Sequence, residues 1–217
     1  MNTLQFIIAD DHPLFRTALK ATLAQHYVQC DVIEVESITE LQTVLSTNAN
    51  SDLILLDLHM PDAQGFSGLI HLQAHYAEIP VLVISGSETP EVMCRAIDHG
   101  AAGFLPKSSQ AKVISGAIDA VLSGARWLPE GIQYQAGQDS NEQKMATVIA
   151  SLTPQQFRVA TLLVQGLLNK QIAYELNVTE ATIKAHVTEI FRKLNVHSRT
   201  QAALAFGQLD VSPPDLP

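Results

Sequence analysis

Leu53-Ile54-Leu55-Leu56-Asp57 decides how the first half of this chain is read. Four consecutive apolar residues fit a short strand buried on both faces, as in a parallel sheet covered by helices, whereas a strand with one wet face would alternate. A carboxylate closing such a strand lies at the C-terminal edge, where open parallel sheets place their chemistry. Three other apolar runs end in the same way. Asp10-Asp11 follows Phe6-Ile7-Ile8-Ala9, Ser85 ends Val81-Leu82-Val83-Ile84, and Lys107 follows Gly103-Phe104-Leu105-Pro106. If the strands are parallel neighbours, three acids, a hydroxyl and an ammonium converge on one edge. A single strand-end Asp is as often a loop cap as a functional group, but capping explains five matching positions poorly. Hard oxygen ligands beside a lysine suit Mg²⁺ and a phosphoryl group. Asp11 and Asp57 would ligate directly, Asp10 would hold a water, Lys107 would pair with phosphoryl oxygens, and the Ser85 hydroxyl would donate to one of them.

Around these runs the first 125 residues alternate strand and helix signals. Strands are expected over 4–9, 30–36, 53–58, 81–85 and 103–106, and amphipathic helices over 13–25, 38–46, 67–75, 90–99 and 110–123. Pro13 and Pro90 suit first helical turns, and Gly100 and Gly124 suit helix ends. Repeated βα units build a parallel sheet with helices on both faces. Residues 126–148, rich in Gln, Gly and small polar side chains, read as a flexible interdomain linker without a helical stripe.

Beyond the linker no strand pattern recurs. Thr153-Pro154-Gln155-Gln156 is a capping box with Pro at the first helical position, opening a helix that Gly166 ends. A short helix over 170–176, the turn Asn177-Val178-Thr179, a longer helix to Leu194 and a last one over 199–209 capped by Ser198 complete an all-α domain over 149–210. Residues 211–217 read as a disordered tail.

Charge divides along the same boundaries. Residues 1–125 hold 5 Lys/Arg against 14 Asp/Glu, while residues 149–217 hold 6 against 5. An acidic front with a locally basic back hints at nucleic-acid contact by the back domain. No apolar run reaches bilayer length, and Met1-Asn2-Thr3 opens neither a basic nor an apolar leader segment, so a cytoplasmic protein is expected. Cys30 and Cys94 are too few for a disulfide framework or a zinc site and read as reduced thiols. His12, His71, His75 and His99 lack metal-ligand spacing, the i,i+4 pair His71 and His75 reads as a solvated helix face, and Trp127 reads as a packing plug.

The helices on either side of Asn177-Val178-Thr179 have the dimensions of a helix-turn-helix. Thr179 and Thr182 would stand at the start of the second helix. Lys184, Ala185 and Thr188 share its exposed face, opposite the inward stripe Ile183, Val187, Ile190 and Leu194. Arg192, Lys193 and Arg199 are placed for phosphate contacts, as is Lys170 at the start of the scaffold helix. The competing reading of the charge pattern is a helical interaction domain with a solvated basic face.

The front segment, with Asp10-Asp11, Asp57, Ser85 and Lys107, resembles a two-component receiver domain. The run Asp10-Asp11-His12-Pro13-Leu14-Phe15-Arg16 resembles the receivers fused to LuxR-type DNA-binding domains. Leu152-Thr153-Pro154, residues 166–173, 182–187 and 193–202 resemble the LuxR/NarL-type four-helix domain. The chain is thereby identified as similar to response regulators of the NarL/FixJ family. The resemblance implies a flavodoxin-like (βα)5 receiver of strand order 2-1-3-4-5. It also implies Asp57 as phospho-acceptor, Ser85 and Phe104 as switch residues, and the His59 backbone carbonyl as a further Mg²⁺ ligand. Its implied partners are a sensor histidine kinase, promoter DNA and a second copy of the chain. Leu204, Ala205 and Leu209 are placed either in that dimer or in the domain core.

Three positions depart from the family pattern: His59 stands where Asn is frequent, Gln156 where Glu is usual, and Thr188 where a base is common. A phosphatase of the haloacid dehalogenase type would need an acid at His59, so a regulator is expected and not an enzyme. Two other readings remain open: a phosphorylation-independent DNA-binding regulator whose receiver is an interaction module, and a protein that acts mainly by binding another protein.

Overall fold

The computed structural model describes residues 3–47, 50–137 and 140–211. The front unit runs β1 (Leu4–Ala9), α1 (Pro13–His26), β2 (Cys30–Val35), α2 (Ile38–Thr47), β3 (Leu53–Leu56), α3 (Ser67–His75), β4 (Val81–Ser85), α4 (Pro90–Asp98), β5 (Gly103–Pro106) and α5 (Ala111–Leu122). Its strands pair in the order β2-β1-β3-β4-β5, every pairing parallel. This is the flavodoxin-like arrangement that the family resemblance implies.

Strand alternation divides the core into two layers. Ile7, Ile54, Val83 and Phe104 face α2, α3 and α4, while Phe6, Ile8, Leu55, Leu82 and Leu105 face α1 and α5. Gly100 and Gly124 follow α4 and α5 with φ of +93° and +83°, the left-handed geometry that ends helices at little cost to glycine.

The back unit comprises α6 (Ser140–Ala150), α7 (Pro154–Val164), α8 (Asn169–Glu175), α9 (Glu180–Leu194) and α10 (Arg199–Gly207). Its caps are those the sequence announces. Thr153 and Gln156 close a reciprocal capping box on α7, Thr179 Oγ1 accepts from Thr182 N at 3.2 Å, and Ser198 Oγ accepts from Gln201 N at 3.2 Å.

The segment 126–148 corrects the expectation of a flexible linker. Trp127 joins the sheet edge beside β5, receiving a hydrogen bond from Phe104 N at 3.0 Å and donating to the Ala102 carbonyl at 3.1 Å. Tyr134 Oη and Gly137 N then donate to the Asp98 carboxylate at 2.5 and 2.8 Å, holding the chain along α4. From Ser140 it is helical. Met145 and Ile149 are the buried residues of α6, a stripe too sparse to stand out among polar neighbours. The helix is stabilised by its packing on α3 and by Glu142, which meets Arg95 Nη2 at 2.9 Å and His99 Nε2 at 2.7 Å.

The two units are docked. Phe157 of α7 stacks on His71 of α3 with ring centroids 4.3 Å apart and planes at 12°. Arg158 donates to Gln42 Oε1, the Thr39 carbonyl and Thr43 Oγ1 on α2 at 2.9, 3.3 and 3.3 Å. Phe66 N donates to the Leu209 carbonyl at 2.9 Å. His71 is therefore not on the solvated face the sequence suggests but fully buried, and the His99 side chain is 8% exposed beside Glu142. Of the expected tail, residues 212–217 lie outside the described residues, whereas Val211 is buried.

Candidate functional site

The parallel register brings the strand ends together. Asp57 N donates to the Ala9 carbonyl at 2.8 Å, Asp10 N to Val35 O at 3.2 Å, and Lys107 N to Ser85 O at 2.9 Å, so each polar residue continues its strand's ladder by one step. Lys107 Nζ lies 2.7 Å from Asp57 Oδ2 and 2.7 Å from Asp10 Oδ2. The Asp57 side chain is wholly buried and that of Asp10 nearly so. Arg16, itself buried, donates to the Asp10 carbonyl at 2.6 Å and holds the end of β1 in place.

Burial by itself would push the Asp57 carboxyl upward. Hydrogen bonds from His59 and the Lys107 ammonium outweigh it and keep the group below the usual carboxylate range. The same contacts raise Lys107 against the opposing effect of burial, with hydrogen bonds to Asp10 and Asp57 as the cause. Asp57 is thus an ionised, buried carboxylate beside a fixed positive charge.

The carboxylates of Asp10, Asp11 and Asp57 bring ligand atoms within 4.8 Å of one another, with His12 as the fourth group. Asp11 Oδ1 is shielded from solvent and has no hydrogen-bond partner, although His12 Nδ1 lies 2.7 Å away outside hydrogen-bond geometry. A buried carboxylate oxygen left unsatisfied among hard donors fits a divalent cation. His12, whose spacing offered no ligand pattern, belongs to this cluster while its side chain stays exposed. Its place directly after Asp11 was the signal available in the sequence.

His59 stands on the other side of Asp57. Its backbone N donates to Asp57 Oδ1 at 3.2 Å, and its ring Nδ1 lies 3.6 Å from that oxygen and 3.5 Å from Ser85 Oγ. The contact with Asp57 raises the imidazole above its ordinary value. Ser85 is fully buried and its Oγ also accepts from Ser87 N at 3.2 Å; Phe104 is packed into the core.

In the back unit, α8 and α9 make a helix-turn-helix, with Asn177 at φ +50° in the turn between them. Lys170, Thr179, Thr182, Lys184, Ala185, Thr188 and Arg192 are all exposed. The receiver does not cover this face. Lys193 and Arg199 are placed differently. Lys193 Nζ donates to Ser151 O at 2.6 Å and Gln156 Oε1 at 2.8 Å, and Arg199 donates to the Leu167 carbonyl and Asn169 Oδ1. Both tie helices of the domain together. On α10, Leu204 is exposed while Ala205 is buried, as is Leu209 just beyond the helix end, which puts the latter two in the core.

A five-stranded parallel sheet with an acidic C-terminal edge, joined to a helix-turn-helix domain, has the two-domain architecture of a regulatory unit with a DNA-binding output. The family comparisons agree. Residues 6–119 match the response regulator receiver domain, and residues 150–206 match the bacterial regulatory proteins of the luxR family. The glycerol metabolism activator of Pseudomonas putida is 38% identical over 212 residues, covering 95% of this chain and 96% of that protein. The nitrate/nitrite response regulator protein NarL of Escherichia coli K12 is 31% identical over 200 residues, covering 91% and 92%. RcsB from Salmonella enterica serovar Typhimurium, solved on promoter rprA in the presence of phosphomimetic BeF3−, shares the fold with a TM-score of 0.56 at 22% identity, covering 95% of this chain and 100% of that one.

The chain belongs to the NarL/LuxR family of two-component response regulators. It is a transcription regulator with a LuxR-type DNA-binding domain.

Proposed function

We propose that Asp57 accepts a phosphoryl group from a sensor histidine kinase and that this controls promoter binding by the back domain. The observation that carries the reading is the buried Asp57 carboxylate held 2.7 Å from Lys107 Nζ within a cluster of three aspartates. In the transfer, an Asp57 oxygen forms the new P–O bond as the P–N bond to the donor imidazole breaks, and Lys107 neutralises charge on the equatorial oxygens. Asp11, Asp57 and the His59 carbonyl would hold Mg²⁺, with Asp10 on a bound water; the ion supplies charge neutralisation to the incoming group.

The added charge of about −1.5 to −2 draws the Ser85 hydroxyl toward the phosphoryl oxygens and lets Phe104 turn into the space behind it, shifting the receiver between two states. The activated protein binds double-stranded promoter DNA as a homodimer in the cytoplasm. Lys170, Thr179, Thr182, Lys184, Ala185, Thr188 and Arg192 form its contact surface.

The test is intact-mass spectrometry after incubation with acetyl phosphate and Mg²⁺, comparing the chain with Asp57→Asn. One phosphoryl group on the parent chain alone is the expected result. No adduct, together with no shift of oligomeric state under beryllofluoride, would favour a phosphorylation-independent regulator whose receiver is an interaction module.

A further inference from the structure

We infer that Glu180 is a base-reading, specificity-determining residue of the DNA-binding surface; the inference rests on the DNA-binding reading above. Residues 149–217 contain six cations. Arg158, Lys193 and Arg199 spend their donors inside the molecule. The two on the exposed face of α9 are each held by an acid of the same helix. Lys184 Nζ lies 2.9 Å from Glu180 Oε1, and Arg192 makes a two-point contact with Glu189, Nη2 to Oε1 at 2.5 Å and Nε to Oε2 at 2.9 Å. Lys170 is the remaining cation.

A helix-turn-helix surface that neutralised phosphates by charge alone would carry its cations free. Here each must leave its carboxylate before it reaches DNA, and the carboxylate then faces a phosphate-walled groove. That cost is lowest where a base edge donates to the freed oxygen. The cytosine N4 and adenine N6 amino groups are the donors the major groove offers.

Glu180 occupies the first turn of α9, the part of a recognition helix that meets base edges. Lys184 stands one turn further on, about 6 Å along the axis and about two base-pair steps away. Glu180 therefore accepts from a cytosine or adenine amino group, and Lys184, once released, donates to guanine O6 or N7 at a neighbouring step. Helix-dipole stabilisation accounts for an acid in the first turn but not for Glu189, which lies in the C-terminal half of α9 where an acid opposes the dipole. The repeated pairing points to control of the cations themselves. Glu189, further from the groove end, restrains Arg192 at the phosphates and supplies the control.

The full-length protein, treated with acetyl phosphate and Mg²⁺, is used to enrich duplexes from a randomised pool. It is then titrated by fluorescence anisotropy on a random-sequence duplex over a range of salt. The parent chain is expected to enrich a motif with a cytosine or adenine preference at one pair per half-site. Glu180→Ala abolishes the preference at that pair and raises affinity for the random duplex about fivefold, with a salt slope steeper by about 0.9. Glu180→Gln steepens the slope similarly. Glu189→Ala steepens the slope but leaves the base preference intact. Enrichment of the same motif with the same bias by Glu180→Ala would overturn the proposal while leaving DNA binding standing. A parent chain that enriches no sequence would remove the DNA-binding reading itself, and this inference with it.

Discussion

His71 shows how far a residue's surroundings can lie from its sequence context. Its ring is fully buried against Phe157, and the Ile149 carbonyl faces it without hydrogen-bond geometry. Burial first, then the neighbouring His75, lowers the imidazole from 6.5 to about 3. The unfolded chain takes up a proton near pH 6.5 and the folded chain does not, so stability is full above that pH and falls as pH drops toward 3. Between pH 7.5 and pH 5 the loss attributable to this residue is about 2 kcal/mol. Urea unfolding at the two pH values measures it, and His71→Phe, which keeps the stack without a titrating group, should remove that part of the pH dependence. The i,i+4 spacing of His71 and His75 is consistent with a wet helix face, and that description holds for His75, which is exposed. Phe157, far away in the chain, takes His71 out of water. Asp10, Asp11, Asp57, Ser85 and Lys107 were legible because each follows its own apolar run, and strand ends in a parallel sheet have one destination. His12 and His59 were read as bystanders or through their backbone, because side-chain distances between neighbouring loops are not written in spacing.

Elements were legible where local chemistry sets their limits. α7, α9 and α10 begin at Thr153, Thr179 and Ser198, each with its side chain accepting from a backbone N–H three residues on. β3 stops at Leu56, short of the expected 53–58, and Asp57 N adds one last ladder bond to the Ala9 carbonyl beyond it. α6 escaped because its stability comes from α3, Arg95 and His99 and not from its own periodicity. The helix-turn-helix also separates cations that resemble one another in sequence. Lys193→Met should lower the stability of the domain by about 1 kcal/mol, since its ammonium bridges Ser151 and Gln156 at a partly exposed site; thermal unfolding reads the change. Lys170→Met should leave the melting temperature nearly unchanged but flatten the salt dependence of DNA binding by about 0.9. If Lys193→Met flattened the slope as much without any loss of stability, its placement as an internal tie would be wrong.

At the scale of the whole molecule, docking leaves the recognition helix open and instead fixes the orientation of the back unit. Gly65 marks how close the approach is: with φ +49°, a Cβ there would lie 1.9 Å from the Leu209 carbonyl oxygen and 2.8 Å from Asp210 Cα. Gly65→Ala should therefore undock the segment that follows α10 and enlarge the radius of gyration seen by small-angle scattering. Because the substitution also strains the loop, Arg158→Ala serves as the second test, removing three hydrogen bonds to α2 from the opposite side of the contact. Unchanged scattering in both variants would show that docking does not depend on these contacts. By itself the sequence determined the five-stranded parallel sheet, the polar groups at its C-terminal edge and the helix-turn-helix with its caps, because hydrophobic period and capping chemistry act over a few residues. Only the tertiary structure decided that α6 is a helix, that His71 is buried and His99 paired with Glu142, that Lys193 and Arg199 face inward and that the two units are docked. Each of these depends on side chains brought together from distant parts of the chain, where burial and electrostatics, not local propensity, set the outcome.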